Sequence, residues 1–127
     1  MDELKNGFTI KEHKVKSKRY CQTLVLKDDP FLIAEYKKWH SNEFRWAEIP
    51  QGIKAVGILD MEIYISDNRL FMIIETPLDF EWDKAFGKLA KLPRQAEWED
   101  FMAKFQLTKA GATSSEKWTL MERIFSL

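Results

Sequence analysis

Hydrophobic and polar positions in the first third of the chain predict a strand followed by a helix. Residues 19–27 are rich in β-forming side chains and predict the first strand. Asp29 and Pro30 follow as an N-cap and a proline at the first helical position, so a helix is expected to begin there. One face of that helix, at the spacing i, i+1, i+4, i+7 and i+8, carries Leu32, Ile33, Tyr36, Trp39 and His40.

The middle of the chain predicts a hairpin. Residues 46–57 are interrupted by Pro50 and Gly52 and predict a short irregular helix or a loop. Residues 58–65 alternate apolar and polar positions, and a second β-forming run follows the polar turn at residues 66–69. Because a short turn joins the two runs, we expect them to pair as antiparallel strands.

The next segment predicts two more helices. Asp79 is a candidate N-cap for a helix over residues 80–92, and Pro93 opens another over residues 94–106. Residues 107–116 have the composition of a mobile loop.

Alternation over residues 117–127 predicts a last strand and completes the order β-α-β-β-α-β, with the second helical region doubled. This order is typical of the ferredoxin-like α+β fold, a four-stranded antiparallel sheet with helices on one face. The other face mixes apolar and polar side chains, such as Tyr64 beside Glu62. Packing of two such sheets face to face would cover it. We therefore expect a homodimer of the kind called a dimeric α+β barrel.

Length and composition limit the remaining possibilities. The 127 residues suffice for one core, and 45% of them are hydrophobic, which is a folding composition. Residues 17–127 are expected to form a single domain. Residues 1–16 keep no regular period and are interpreted as an extended arm, in which His13 is expected to be solvated.

Charge and residue spacing exclude several classes of function. The 20 Lys and Arg residues balance the 20 Asp and Glu residues, and no basic cluster stands beside aromatic residues, so nucleic acid is not an expected partner. No apolar run is long enough for a membrane span. The first residues lack the apolar core of a signal peptide, and Cys21, expected to be a buried strand residue, is the one cysteine, so a cytoplasmic setting is expected. The two histidines, His13 and His40, and this cysteine are too far apart for a metal site.

His40 and Tyr36 form the sharpest candidate pair for chemistry. They lie one turn apart on the inward face of the first helix, where an imidazole that titrates near neutral pH has a hydroxyl close by. The alternative is that His40 is a half-buried residue favoured by the dipole at a helix C-terminus, and that Tyr36 is ordinary core. The tryptophans, among them Trp46 and Trp98, are open to the same two interpretations, core packing or a flat wall for a sugar ring.

Several motifs, in order, make the chain similar to the L-rhamnose mutarotase family over about residues 18–127. They are EYKKWH, WAEI, IKAVGILDMEIYI, NRLFMIIET and PRQAEWEDFM. The Tyr-x-x-x-His of the family is matched by Tyr36 and His40, its Trp-Pro-Glu by Trp46-Ala47-Glu48, and the first residue of its Trp-Trp pair by Trp98.

The chain also departs from the family pattern. Ala47 replaces the proline and Glu99 replaces the second tryptophan. Met61 stands where relatives that act on rhamnose carry a sugar-contacting tyrosine, and the arm before residue 17 has no counterpart. These departures leave the acid-base residues in place and bear on the choice of sugar.

The resemblance implies a mutarotase that interconverts the α and β pyranose forms of a 6-deoxy aldose. It implies L-rhamnose as the sugar, with L-fucose as the alternative, and it implies neither cofactor nor metal. By resemblance His40 donates a proton to the ring oxygen, Tyr36 holds a sugar hydroxyl or the anomeric oxygen, and Trp98 and Trp46 contact the sugar. The opposing base is not identified, and Glu99 is a candidate. The competing hypothesis is a non-catalytic, ligand-binding dimeric α+β barrel, because fold alone does not settle function.

Overall fold

A computed structural model describes residues 2–109 and 111–127, and it contains one four-stranded sheet. The strands are β1 (Ser17–Val25), β2 (Asp60–Ser66), β3 (Arg69–Pro77) and β4 (Thr119–Leu120). They are arranged in the order β2-β3-β1-β4, and every neighbouring pair is antiparallel. The ferredoxin-like α+β fold expected from the order of elements is confirmed.

The helices are short. They are α1 (Pro30–Trp39), α2 (Glu48–Ala55), α3 (Trp82–Leu89), α4 (Gln95–Ala103) and α5 (Ser114–Lys117). As predicted, Asp29 caps α1, because its side chain accepts a hydrogen bond of 3.0 Å from the backbone N–H of Leu32. Asp79 does not cap α3, since Glu81 occupies the N-cap position, without a side-chain hydrogen bond.

One face of the sheet packs under the helices and forms the core. On β3 the buried residues alternate with half-buried ones, and Ile74 is completely buried. The same face of β1 carries Gln22 and Leu24, whose register partners on β3 are Met72 and Leu70. Cys21 lies on the opposite face and is only half-buried, so the expectation of a buried cysteine is wrong.

The last part of the chain differs from the prediction. The expected strand over 117–127 pairs with β1 only at Thr119 and Leu120, Lys117 belongs to α5, and residues 121–127 form an exposed tail. The expected loop over 107–116 includes Ala110, which lies outside the described residues, and its end forms the start of α5. A capping box at Thr113 explains this helix, because the Thr113 backbone N–H donates to the Glu116 carboxylate over 2.7 Å.

The end of the predicted helix over 94–106 also differs, since α4 ends at Ala103. Beyond it, Gln106 forms a β-bridge with Leu26, where the backbone N–H of Leu107 donates to the Val25 carbonyl oxygen over 2.9 Å. Pairing with the end of β1 satisfies these backbone groups outside the helix. The bridge also fixes where Gln106 lies.

The arm packs on the molecule more closely than the sequence predicts. Asp2–Asn6 form a 3-10 helix, while Met1 lies outside the described residues. His13 is not solvated: its Nε2 atom lies 2.8 Å from a carboxylate oxygen of Glu75, and its side chain is 11% exposed. The long separation in sequence between these two residues hides the contact from any local pattern.

Candidate functional site

A cavity of about 390 Å³ lies between the helices and the inner face of the sheet. Helix α1 contributes Tyr36, β2 contributes Met61, and α4 contributes Trp98 and Glu99 to its lining. His40, the C-cap residue of α1, lines it as well. The structure therefore brings together three elements that are far apart in the sequence, α1, β2 and α4, around the candidate acid-base pair.

The His40 imidazole is fixed by its own helix. Its Nδ1 atom lies 2.7 Å from the backbone carbonyl oxygen of Tyr36. Because a carbonyl oxygen only accepts, Nδ1 must carry the hydrogen. Within residues 2–109 and 111–127, no protein atom forms a hydrogen bond with Nε2, which leaves this nitrogen for a ligand in the cavity.

Burial lowers the pKa of His40 below the ordinary imidazole value of 6.5, and the hydrogen bond to the Tyr36 carbonyl opposes part of this shift. At neutral pH the imidazole is thus mainly neutral. Its protonated form, when populated, is a stronger acid than an exposed histidine.

Tyr36 is buried, and its ring lies against His40 with centroids 4.2 Å apart. Its hydroxyl oxygen accepts a hydrogen bond of 3.4 Å from Nε2 of Gln106. Burial strongly raises the pKa of Tyr36, Gln106 lowers it in part, and the negative charge of Glu99 raises it further. The phenol therefore keeps its proton at neutral pH and can donate it in a hydrogen bond.

Trp98 forms an aromatic wall of the cavity. Its ring meets that of His40 edge to face, with centroids 5.4 Å apart. Trp46 packs behind Trp98 at 5.1 Å and stacks on Phe101, with Arg94 lying 3.9 Å from the centre of its other side. Trp46 is not among the residues that line the cavity, so in this structure it supports the wall rather than forming it.

Glu99, the candidate base, lines the cavity within an ion pair that the sequence did not reveal. Its carboxylate accepts hydrogen bonds from Lys117 at 2.9 Å and from Gln95 at 2.7 Å. The Lys117 side chain is 1% exposed. Sequence reasoning placed Lys117 at the start of a strand, and only the turn of α5 directs it inward.

Gln106 is a cavity residue that the sequence did not single out. It stood at the end of a predicted helix with no distinctive neighbours, and its position depends on the bridge to β1. No local signal could have identified it.

The described residues, 2–109 and 111–127, form neither a metal-binding cluster nor a membrane-spanning helix. They contain no group of three or more His, Cys, Asp or Glu side chains close enough to hold a metal ion. No helix formed by these residues is both long and apolar enough to cross a bilayer.

The fold and the cavity define a small α+β protein with a pocket lined by an imidazole, a phenol and an indole. The sequence model of the L-rhamnose mutarotase family matches residues 19–127. The chain belongs to this family and is an isomerase, a 6-deoxy sugar mutarotase. The resemblance noted in the sequence is thereby confirmed.

Three known proteins illustrate the relationship. An L-fucose mutarotase of Xanthomonas campestris pv. campestris is 36% identical over 109 residues, which span 86% of this chain and 87% of the relative. A UPF0734 protein of Dictyostelium discoideum is 35% identical over 114 residues, covering 87% of this chain and 90% of its own length. The crystal structure of an L-rhamnose mutarotase from Formosa agariphila has the same fold, with a TM-score of 0.66 at 23% identity, over 87% of this chain and 98% of that one.

Proposed function

We propose that the protein interconverts the α and β pyranose forms of L-rhamnose in the cavity, with His40 and Tyr36 as the residues that act on the reacting atoms. The ring opens when a proton reaches the ring oxygen, the bond between that oxygen and the anomeric carbon breaks, and the anomeric hydroxyl loses its proton to solvent. Closure on the other face of the aldehyde reverses these transfers. No electrons are gained or lost by the sugar.

The observation that carries this proposal is the hydrogen bond between Nδ1 of His40 and the Tyr36 carbonyl. It fixes the imidazole so that Nε2 is the only nitrogen able to exchange a proton with a ligand. Protonated Nε2 donates to the ring oxygen and recovers the proton on closure. Acid-base catalysis by one such group accounts for a rate increase of about 10² to 10⁴-fold.

Tyr36 and Trp98 have separate parts in this proposal. Since the Tyr36 oxygen already accepts from Gln106, its own hydrogen is free to bind the anomeric oxygen or another sugar hydroxyl. The Trp98 indole packs against the C–H face of the ring. Trp46 holds the indole in place from behind.

L-fucose is the second candidate sugar, and two observations favour it. Met61 lies in the cavity lining, where the family pattern for rhamnose has a tyrosine. The Xanthomonas relative, at 36% identity, is an L-fucose mutarotase. We therefore expect only a modest preference for L-rhamnose over L-fucose.

Saturation-transfer NMR on the wild-type protein with a panel of aldoses tests the function directly. Saturating the anomeric proton of one anomer should reduce the signal of the other for L-rhamnose, and to a lesser degree for L-fucose. D-glucose serves as the control sugar and should exchange at its spontaneous rate. Binding of a 6-deoxy sugar without exchange would instead identify a non-catalytic ligand-binding protein.

We also propose that the protein is a homodimer, with a second copy covering the open face of the sheet. Two large apolar side chains of the tail, Ile124 and Phe125, are 90% and 76% exposed in the single chain. Exposure of this kind is unfavourable in water and typical of a surface that another chain covers. The tail continues from β4, which lies at the edge of the sheet.

A further inference from the structure

Within residues 2–109 and 111–127, Gln106 is a cavity-lining residue with an unpaired polar atom. The residue is 3% exposed, lines the cavity, and donates from Nε2 to the Tyr36 hydroxyl. Its Oε1 atom is buried and has no hydrogen-bond partner among the described residues. Buried side-chain oxygens are nearly always hydrogen-bonded, so an orphaned acceptor calls for an explanation.

The position of this acceptor suggests a ligand as its partner. Gln106 lines the same cavity as the side chains that we propose bind the sugar. A pyranose presents several hydroxyl donors. A bound hydroxyl that reaches Oε1 would supply the missing hydrogen bond. The bridge to Leu26 holds the backbone of Gln106 in place, so the acceptor is already oriented before a sugar arrives.

We propose that Gln106 is a sugar-binding residue whose Oε1 accepts a hydrogen bond from a ring hydroxyl, and that it sets which hydroxyl configuration the enzyme prefers. This inference rests on the proposed function. L-rhamnose and L-fucose differ in the configuration of ring hydroxyls, so one fixed acceptor can favour one sugar over the other. A site built to pair a hydroxyl discriminates strongly, because the wrong sugar leaves the acceptor unpaired.

The chain provides a matched control for the test. Gln22 is also a buried glutamine whose Oε1 has no partner among the described residues, but it does not line the cavity. Methionine and glutamine have similar volumes, so either replacement removes the amide and nearly keeps the size of the side chain. Gln106→Met and Gln22→Met therefore differ chiefly in whether the lost amide faces the cavity.

Exchange kinetics of the two variants with L-rhamnose and L-fucose should separate the two positions. We expect Gln106→Met to raise KM for the preferred sugar by about 10-fold to 100-fold, the range of one buried hydrogen bond, and to reduce the preference between the sugars. Its kcat should fall far less than that of His40→Asn, because the variant removes a donor to the Tyr36 hydroxyl but leaves His40 untouched. Gln22→Met should leave KM and the sugar preference within about twofold. Equal KM values for the two variants would overturn the proposal, as would a loss confined to kcat in Gln106→Met.

Deoxy sugars provide a second test, and its first part uses the wild-type protein alone. Each analogue lacks one ring hydroxyl. Wild type should bind the analogue that lacks the hydroxyl paired with Gln106 about 10-fold or more weakly than the parent sugar. In Gln106→Met that loss should disappear, since the partner is gone. If no analogue binds wild type more weakly than the parent sugar, Gln106 does not bind a hydroxyl. Wild-type exchange of the parent sugars decides the proposed function separately.

Discussion

The Nδ1 atom of His40 lies 2.7 Å from the backbone carbonyl oxygen of Tyr36, the residue one helical turn before it. The contact closes the C-terminal end of α1 and satisfies one of the carbonyl groups that a helix end leaves unpaired. It also determines which imidazole nitrogen remains for chemistry. The same hydrogen bond thus caps the helix and orients the imidazole of the candidate acid.

Replacement of His40 by Asn should remove most of the activity and little of the stability. Loss of the proton donor predicts a fall in the exchange rate of about 10² to 10⁴-fold. The free energy of unfolding should fall by only about 1 kcal/mol, because the residue stands at a helix end. Saturation-transfer NMR and thermal unfolding followed by circular dichroism measure the two quantities.

Tyr36→Phe is the companion variant, and it should reduce the rate less than His40→Asn does, since it removes an orienting hydroxyl rather than the proton donor. A His40→Asn protein that kept most of its exchange rate at neutral pH would reject this assignment. Glu99 or Glu48 would then be the leading candidate for the acid-base group.

The rate should fall as the pH rises through the pKa of His40. Burial places that pKa below 6.5, so the donor form is a minor fraction at neutral pH and grows on acidification. We expect the enzymatic rate, after subtraction of the spontaneous rate, to be higher at about pH 6 than at about pH 8. His40→Asn should lose this dependence. A rate that instead rose with pH would identify neutral His40 as the base.

Trp98 and Trp46 should respond differently to the same substitution. Trp98→Phe should raise KM by about threefold to tenfold, because a smaller ring covers less of the sugar. Trp46→Phe should change KM by no more than about twofold, as Trp46 lies behind the wall. The comparison requires equal melting temperatures for the two proteins. A similar rise in KM for both would put Trp46 in contact with the sugar.

The ion pair of Lys117 and Glu99 predicts a non-additive effect on stability. Lys117→Met should destabilise the fold by about 3 to 5 kcal/mol, since it leaves the Glu99 carboxylate desolvated without its cation. Glu99→Gln combined with Lys117→Met should recover much of this loss, because no unpaired charge remains. Urea unfolding of the two variants measures the difference. A double variant no more stable than Lys117→Met alone would argue against a coupled pair.

The dimer predicts a mass in solution of twice the 15.1 kDa of one chain. Small-angle scattering at micromolar concentration should give this value. Replacement of both Ile124 and Phe125 by Ser should shift the protein toward monomer, because these side chains are exposed in the single chain. A monodisperse wild-type monomer would contradict the dimer.

The sequence by itself determined the class of fold and the candidate pair. Hydrophobic periodicity identified β1, α1 and the β2-β3 hairpin, since each depends on a local repeat of side chains. The spacing of Tyr36 and His40 put both on one helical face, and both line the cavity. The cap at Asp29 was equally local and equally predictable.

Only the tertiary structure decided which distant residues complete the cavity. Gln106, in the cavity, and Lys117, paired with Glu99, stand at the ends of predicted elements, and their positions depend on a bridge to β1 and on a single helical turn. The contact between His13 and Glu75 spans 62 residues. The last strand ended early because its backbone finds a partner on β1 only as far as Cys21. Such positions follow from packing between elements. A local pattern of side chains does not contain the energetics of that packing.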